Sequence, residues 1–161
     1  MIVVVIMGVV YTLSTNSFAK LKENSIKLTL LNLKEYLLSL SKGEEVQLLC
    51  LDDCSECSIY VAESKIRDLE DFLDETVELY RYEFNYGYTK IEPTVYFNKE
   101  DIEEDVCFSY KITQNGIGEQ VLVAYKEKFY DYSTYFSNVL VYDSLSDASS
   151  AKEEKAQEVS R

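Results

Sequence analysis

The sequence contains no histidine and no tryptophan, and it has one proline and five glycines. Histidine is the commonest general base and metal ligand near neutral pH, because its side chain titrates there. Without histidine, a serine–histidine catalytic arrangement is excluded, although serines are plentiful. We therefore expect that this protein is not an enzyme and that it uses no cofactor.

Basic residues are also few, with 16 lysines and arginines against 29 aspartates and glutamates and a formal net charge of -13. The average field of such a chain repels the phosphates of DNA and RNA, so we expect no direct nucleic-acid binding. The only modest basic cluster is Lys20, Lys22 and Lys27, and Glu23 interrupts it. Apolar residues at 47% and charged residues at 28% indicate a globular protein.

Glycine and proline are absent from Val9 to Lys42, and apolar residues recur there at helical spacing. Gly43 then gives a stop signal. If this helix includes the opening residues, it spans about 40 residues, or roughly 60 Å. The predicted buried stripe is Ile26, Leu30, Leu33, Leu37 and Leu40, widened by Leu28, Leu31 and Leu38, whereas Lys20, Lys27, Lys34 and Glu35 are expected to face water.

After Gly43 the apolar period changes to two, which is typical of strands. "EVQLLC" and "CSIYVA" flank the loop "LDDCSE" and predict a hairpin whose inner face packs on the helix. "VELYRYEF", "PTVYFN" and "FSNVLVYDS" are further strand candidates, and Pro93 suggests an edge or a strand entry. "VCFSYKI" and "EQVLVAYKEKF" are expected to pair as a hairpin across "TQNGIG".

The predicted fold class is therefore α+β, with one long N-terminal α-helix packed on an antiparallel β-sheet. Residues 64–76 fit either a helical turn or an acidic connecting loop. The chain divides into an apolar segment at 1–20, a helix-plus-sheet domain at 21–145, and a polar tail at 146–161 that predicts frayed helix or disorder.

Four cysteines are present, three of them within "CLDDCSEC". Cys54 and Cys57 have the local spacing of a zinc site, but the second pair of ligands would be split between Cys50 and Cys107. A redox pair would need a βαβ setting that the sequence does not show. For an exported domain, disulfides are the expected state. The hairpin register favours Cys50–Cys57 and leaves Cys54 to reach Cys107, and the main rival pairs Cys54 with Cys57 and Cys50 with Cys107.

Carboxylates cluster at several places, such as Asp52–Asp53 and Asp74–Glu75. Calcium binds oxygen-rich loops of this kind, but none of the clusters shows the spaced ligands and the glycine of an EF-hand. A solvated acidic loop is the simpler interpretation.

The opening "MIVVVIMGVVYTL" carries no charge. No basic residue precedes it, so it does not match a secretory signal peptide. It is also shorter than the roughly 20 apolar residues that span a bilayer. A buried core segment is the third alternative.

This β-branched stretch with its glycine resembles the N-terminal helix of type IV pilins and type II secretion pseudopilins. Placed on the pattern of that family, Met1 falls directly after the family's glutamate. The resemblance thus implies that the basic leader, the cleavage site and the glutamate lie in front of the given sequence. The proline that many pilins place midway along the helix is absent. A long helix followed by an antiparallel sheet is also what the resemblance implies for the fold.

The resemblance implies a pseudopilin or minor pilin subunit of a machine that serves secretion, DNA uptake or a surface pilus. Its partners would be other pilin or pseudopilin subunits, the assembly platform protein, the assembly ATPase and the prepilin peptidase. It would lie in the bacterial inner membrane with a single span and its C-terminal domain in the periplasm. The alternative is a signal-anchored periplasmic binding module that does not polymerise. The implied membrane and assembly residues are Ile2, Val3, Val4, Val5, Ile6, Met7, Val9, Val10 and Leu13.

Overall fold

The computed structural model describes residues 27–92, 94–97, 103–134 and 138–159. In these ranges the chain forms two five-stranded antiparallel sheets and two helices. Sheet 1 has the strand order β3-β2-β1-β7-β6, and sheet 2 has the order β10-β9-β8-β4-β5. The elements are α1 (Leu30–Ser41), β1 (Val46–Leu51), β2 (Glu56–Val61), β3 (Ser64–Glu70), β4 (Glu78–Glu83), β5 (Gly87–Lys90), β6 (Thr94–Phe97), β7 (Glu103–Ile112), β8 (Leu122–Tyr125), β9 (Lys128–Asp131), β10 (Leu140–Tyr142) and α2 (Leu145–Val159).

The predicted fold class is wrong, because the described chain is mostly antiparallel β and contains no long N-terminal helix packed on a single sheet. α1 begins at Leu30, and the backbone of Thr29 before it is extended. The Thr29 N–H donates to Asn32 Oδ1 at 2.8 Å, so the side chain of Asn32 provides an acceptor for the backbone N–H just before the helix. The helical spacing of apolar residues did not predict that the helix begins at Leu30 after the N-cap Thr29. At the other end the helix stops as predicted, with Lys42 and Gly43 at positive φ.

α1 packs its narrow apolar stripe of Leu30, Leu33 and Leu37 into the core. Leu31 and Leu38 were expected to widen this stripe, but both are exposed. Lys34 was expected to face water, but its side chain is buried with 7% of its surface exposed. The reason is that two carbonyl oxygens of the segment after β9 come within reach of its ammonium. The stripe is therefore narrower than predicted and includes a cation.

The first hairpin forms in the predicted register. β1 pairs antiparallel with β2, and Val46, Leu48 and Cys50 lie opposite Val61, Ile59 and Cys57. On its other side β1 pairs with β7, which brings Phe108, Tyr110 and Ile112 onto the same buried face. This face of sheet 1 and the buried stripe of α1 belong to one hydrophobic core.

Two other expectations for the sheet are wrong. Residues 64–70 form β3, the edge strand next to β2, and are neither a helical turn nor a loop. β7 and β8 belong to different sheets, and only an isolated bridge from Ile112 to Gly118 links the segments around them. The stretch "EQVLVAYKEKF" does not form one strand, because Lys126 and Glu127 adopt positive φ and turn β8 back onto β9.

The tail beyond residue 145 is the helix α2, which contacts β5, β9 and β10. Its one nearly fully buried side chain in the described part is Ala148, where the helix lies closest to sheet 2. This sparse contact explains why the composition of the tail gave only a weak helix signal.

No helix within the described ranges is long and apolar enough to cross a membrane. The prediction of a single-pass inner-membrane protein with a periplasmic domain is therefore contradicted. The residues that carried it, from Ile2 to Leu13, lie outside the described part of the chain.

Candidate functional site

Both disulfides lie in sheet 1 and the loop beside it. Cys50 on β1 is bonded to Cys57 on β2, and Cys54 in the loop is bonded to Cys107 on β7. The prediction of disulfides is confirmed, and the pairing is the one that the hairpin register favoured. All four sulfurs are bonded, so none is a thiolate for zinc binding or nucleophilic chemistry.

The loop between β1 and β2 is a tight turn with strained backbone angles. The Cys54 N–H donates to the Leu51 carbonyl at 3.0 Å, and the Asp52 N–H donates to the Asp105 carbonyl on β7 at 2.9 Å. Asp52 and Cys54 both adopt positive φ, which is uncommon for residues with a side chain. The carboxylates here face solvent. Across the described ranges no cluster of three cysteine or acidic side chains has a geometry that could hold a metal ion.

The most exposed apolar side chains of the described chain lie at the tip of the β4–β5 hairpin. Phe84 and Tyr86 are 87% and 79% exposed, in the turn between the two strands. Behind the tip the rings of Tyr82 and Tyr88 stack edge to face with centroids 5.2 Å apart. This pair packs at the base of the hairpin, directly behind the two exposed rings.

The sequence predicted β4 but neither β5 nor this turn. The available signal was "FNYG", in which an asparagine and a glycine lie between two aromatic runs. Gly87 adopts φ +74, a conformation that favours glycine. Phe84 was expected to continue the strand face of Tyr80 and Tyr82, but it lies beyond the strand end and points into solvent.

A second exposed apolar feature is the edge strand β6, which has a paired neighbour only on the β7 side. Val95 and Phe97 are 49% and 57% exposed. Their partners across the ladder are Asp105 and Glu103 on β7, so each of these apolar side chains lies opposite a carboxylate.

A buried polar cluster joins α1 to sheet 2. The Lys34 ammonium donates to the carbonyl of Thr134 and, at 3.5 Å, to that of Tyr132. Burial lowers the pKa of Lys34, and the buried carboxylate of Asp131 opposes this shift. Asp131 in turn accepts from the N–H and the hydroxyl of Ser133. These contacts position the helix against the segment that follows β9.

Comparison with protein-family models, with characterised proteins and with solved structures gave no match. The description of the site therefore depends on the chain's own residues. It comprises a disulfide-bonded sheet, an exposed aromatic hairpin tip and an exposed apolar edge strand.

Proposed function

We propose that this chain is a pseudopilin or minor pilin subunit that works by assembling with related subunits. The observation that carries the proposal is the uncharged, β-branched stretch of residues 1–13, which precedes the amphipathic helix α1 and the antiparallel domain. The proposal does not use a long continuous helix, because α1 begins at Leu30. Its expected partners are other pilin or pseudopilin subunits, the assembly platform protein, the assembly ATPase and the prepilin peptidase.

Two features of the folded domain support an assembling role. The disulfides Cys50–Cys57 and Cys54–Cys107 fit a domain that matures in an oxidising compartment. The rings of Phe84 and Tyr86 give the domain a rigid, apolar contact point, and aromatic side chains often dominate the energy of protein interfaces. A subunit of a fibre needs such surfaces on its folded domain as well as a shared assembly segment.

Photo-crosslinking in the native cells tests the proposal. A benzophenone amino acid replaces Val5 or Val10 in the full chain, and a matched control carries it at Glu153, an exposed position on α2. We expect crosslinks from the first two positions to copies of this chain or to pilin-like subunits. A chain that stays monomeric at both positions, with the Glu153 control equally expressed, contradicts the proposal.

The codons upstream of Met1 give an independent test. The family pattern predicts an in-frame basic leader, then a glycine or alanine, a phenylalanine and a glutamate. An in-frame stop codon directly upstream, with no such leader, contradicts membership of that family.

The second candidate function is a binding module that does not polymerise. The observation that favours it is a polar cleft beneath α2, lined in part by Tyr82 and Tyr88 at the base of the β4–β5 hairpin. A monomer in the crosslinking experiment that still binds a ligand in this cleft would support the second candidate over the first.

A further inference from the structure

A cleft of about 310 Å³ lies between α2 and sheet 2. It is lined by residues of β4 and β5, of the segment before β8, of the segment after β9 and of α2. Its volume is at the lower end of the range for small-molecule sites, roughly 300–1,000 Å³. The lining residues are Arg81, Tyr82, Tyr88, Glu119, Gln120, Val121, Ser133 and Lys152.

One hydrogen-bond donor of the residues that line the cleft has no acceptor. The hydroxyl of Tyr88 is buried and has no hydrogen-bond partner among the described residues. The Lys152 ammonium donates to the neutral hydroxyl of Ser133 at 2.5 Å, which leaves two of its three N–H groups for other acceptors. A buried polar group without a partner is costly, so such a group commonly indicates a missing ligand or water.

The charges at the cleft favour a single negative charge. Arg81 and Lys152 supply two cations, and Glu119 is the one carboxylate in the lining. Glu119 is already engaged, because it accepts from the Lys111 N–H at 3.3 Å. Burial raises the pKa of Glu119, and the hydrogen bond from the Lys111 N–H and the charges of Lys111 and Arg81 oppose this shift. A monoanion balances this lining, whereas a phosphate dianion would bring excess charge next to Glu119.

We propose that this cleft binds a carboxylate, held by the side chains of Arg81, Lys152 and Tyr88. A guanidinium and a carboxylate match in planar geometry, and the ammonium and the phenol add two further donors. The rings of Tyr82 and Tyr88 and the side chain of Val121 provide apolar walls for a short body attached to the carboxylate. The ligand is either a free organic acid or the C-terminal carboxylate of a peptide. This site is independent of the proposed assembly function.

Nuclear magnetic resonance titration of the folded full chain tests the site, with benzoate as the probe and neutral benzamide as its matched control. We expect saturable shifts with benzoate at the amides near Tyr88, Gln120 and Lys152, and no saturation with benzamide. Equal responses to benzoate and benzamide would overturn the proposal, as would benzoate shifts that map elsewhere.

Two substitutions separate the site from nonspecific charge effects. Lys152→Met removes the ammonium in the cleft, and Lys155→Met removes an exposed ammonium from the same helix. We expect benzoate to bind about tenfold more weakly to the first variant and unchanged to the second, since a hydrogen bond to a charged group is lost. Equal weakening in both variants would overturn the proposal.

If Lys152→Met unfolds the chain, Tyr88→Phe is the variant that tests the site. This variant removes one unpartnered hydroxyl, so we expect a urea midpoint that is unchanged or higher and benzoate binding about threefold to tenfold weaker. Unchanged binding in this folded variant would overturn the role of Tyr88.

The two ligand sources are distinguished by a short peptide with a free C-terminal carboxylate and by the same peptide with a C-terminal amide. Binding of the free peptide tighter than benzoate, and loss on amidation, identifies a peptide terminus. Binding of benzoate alone identifies a free acid. Failure of both probes to bind overturns the site but leaves the assembly function untouched.

Discussion

Sheet 1 and sheet 2 have the same number of strands but differ in how they are stabilised. Sheet 1 holds both disulfides and packs its inner face against α1. Sheet 2 has no covalent link, and it carries the exposed hairpin tip and one wall of the polar cleft. The covalent links thus lie in one sheet, and the hairpin tip and the polar cleft lie at the other.

The disulfides give the largest expected difference between the sheets. Replacing Cys54 and Cys107 by alanine opens a loop with a sequence separation of 53, and replacing Cys50 and Cys57 opens one of 7. In the chain-entropy account, the first pair loses roughly 4 kcal/mol of unfolding free energy and the second about 2 kcal/mol. Urea denaturation of both variants measures the ranking. Equal losses, or a larger loss from the short loop, would contradict this account.

The contact between Gly118 and Tyr110 tests the junction of the two sheets. A Cβ at position 118 would lie 2.1 Å from the Tyr110 hydroxyl oxygen, and the Tyr110 ring is fully buried. Gly118→Ala should therefore cost about 1–3 kcal/mol through overpacking. Adding Tyr110→Phe, which removes that oxygen, should restore much of the loss. No coupling between the two substitutions in urea denaturation would show that the close contact is not the cause.

Lys34 tests the attachment of α1 to sheet 2. Lys34→Met removes the donor to the carbonyls of Tyr132 and Thr134 and leaves the buried carboxylate of Asp131 without its nearby cation. We expect a loss of about 1–3 kcal/mol in thermal or urea unfolding. Lys27→Met, at an exposed position just before the helix, is the control and should lie within about 0.5 kcal/mol of the parent. If Lys34→Met leaves the free energy of unfolding unchanged, the cluster contributes nothing to stability.

Asp74 gives a smaller, pH-dependent effect. Hydrogen bonds from the side chain and N–H of Thr76 and from the Tyr125 hydroxyl lower the pKa of its carboxyl from 3.8 to about 2. Because the folded pKa is depressed, this group stabilises the fold above about pH 4, and the contribution is lost as the pH falls towards about 2. Between about pH 4 and pH 2, the free energy of unfolding of Asp74→Asn should therefore fall less than that of the parent protein.

Urea midpoints measured at several pH values check this prediction. Glu75→Gln neutralises the adjacent exposed carboxylate and serves as the control. A steeper acid loss in Asp74→Asn than in the parent would contradict the direction of the pKa shift.

The hairpin tip should have the smallest effect on stability. Phe84→Ser and Tyr86→Ser alter side chains that contact mostly solvent, so we expect changes within about 0.5 kcal/mol. If the tip contacts other subunits, the same variants should lose crosslinks to them although they remain folded. A loss of several kcal/mol would show that the tip stabilises the fold.

Local patterns predicted sheet 1 better than sheet 2. The alternate positions Val46, Leu48 and Cys50 indicated the register of the first hairpin, because they share one buried face. The tertiary arrangement was not predictable in the same way. "VCFSYKI" and "EQVLVAYKEKF" both alternate and flank a turn, but nothing local shows that the chain leaves sheet 1 for sheet 2 between them.

The candidate sites were the least predictable part. The burial of Lys34 depends on carbonyl groups about 100 residues later in the chain, which no helical pattern contains. The cleft combines Arg81, Tyr88 and Lys152 from three separate elements, and its chemistry exists only when they meet. The exposed tip had a local signal in "FNYG", since asparagine and glycine favour a hairpin turn.

Hydrogen exchange followed strand by strand compares the two sheets directly. In the oxidised protein, we expect the amides of β1, β2 and β7 to exchange more slowly than those of β4, β5 and β9, because the disulfides restrict the opening of sheet 1. After reduction of both disulfides, this difference should disappear. Equal protection of the two sheets before reduction, or a difference that survives reduction, would contradict the assignment of covalent stability to sheet 1.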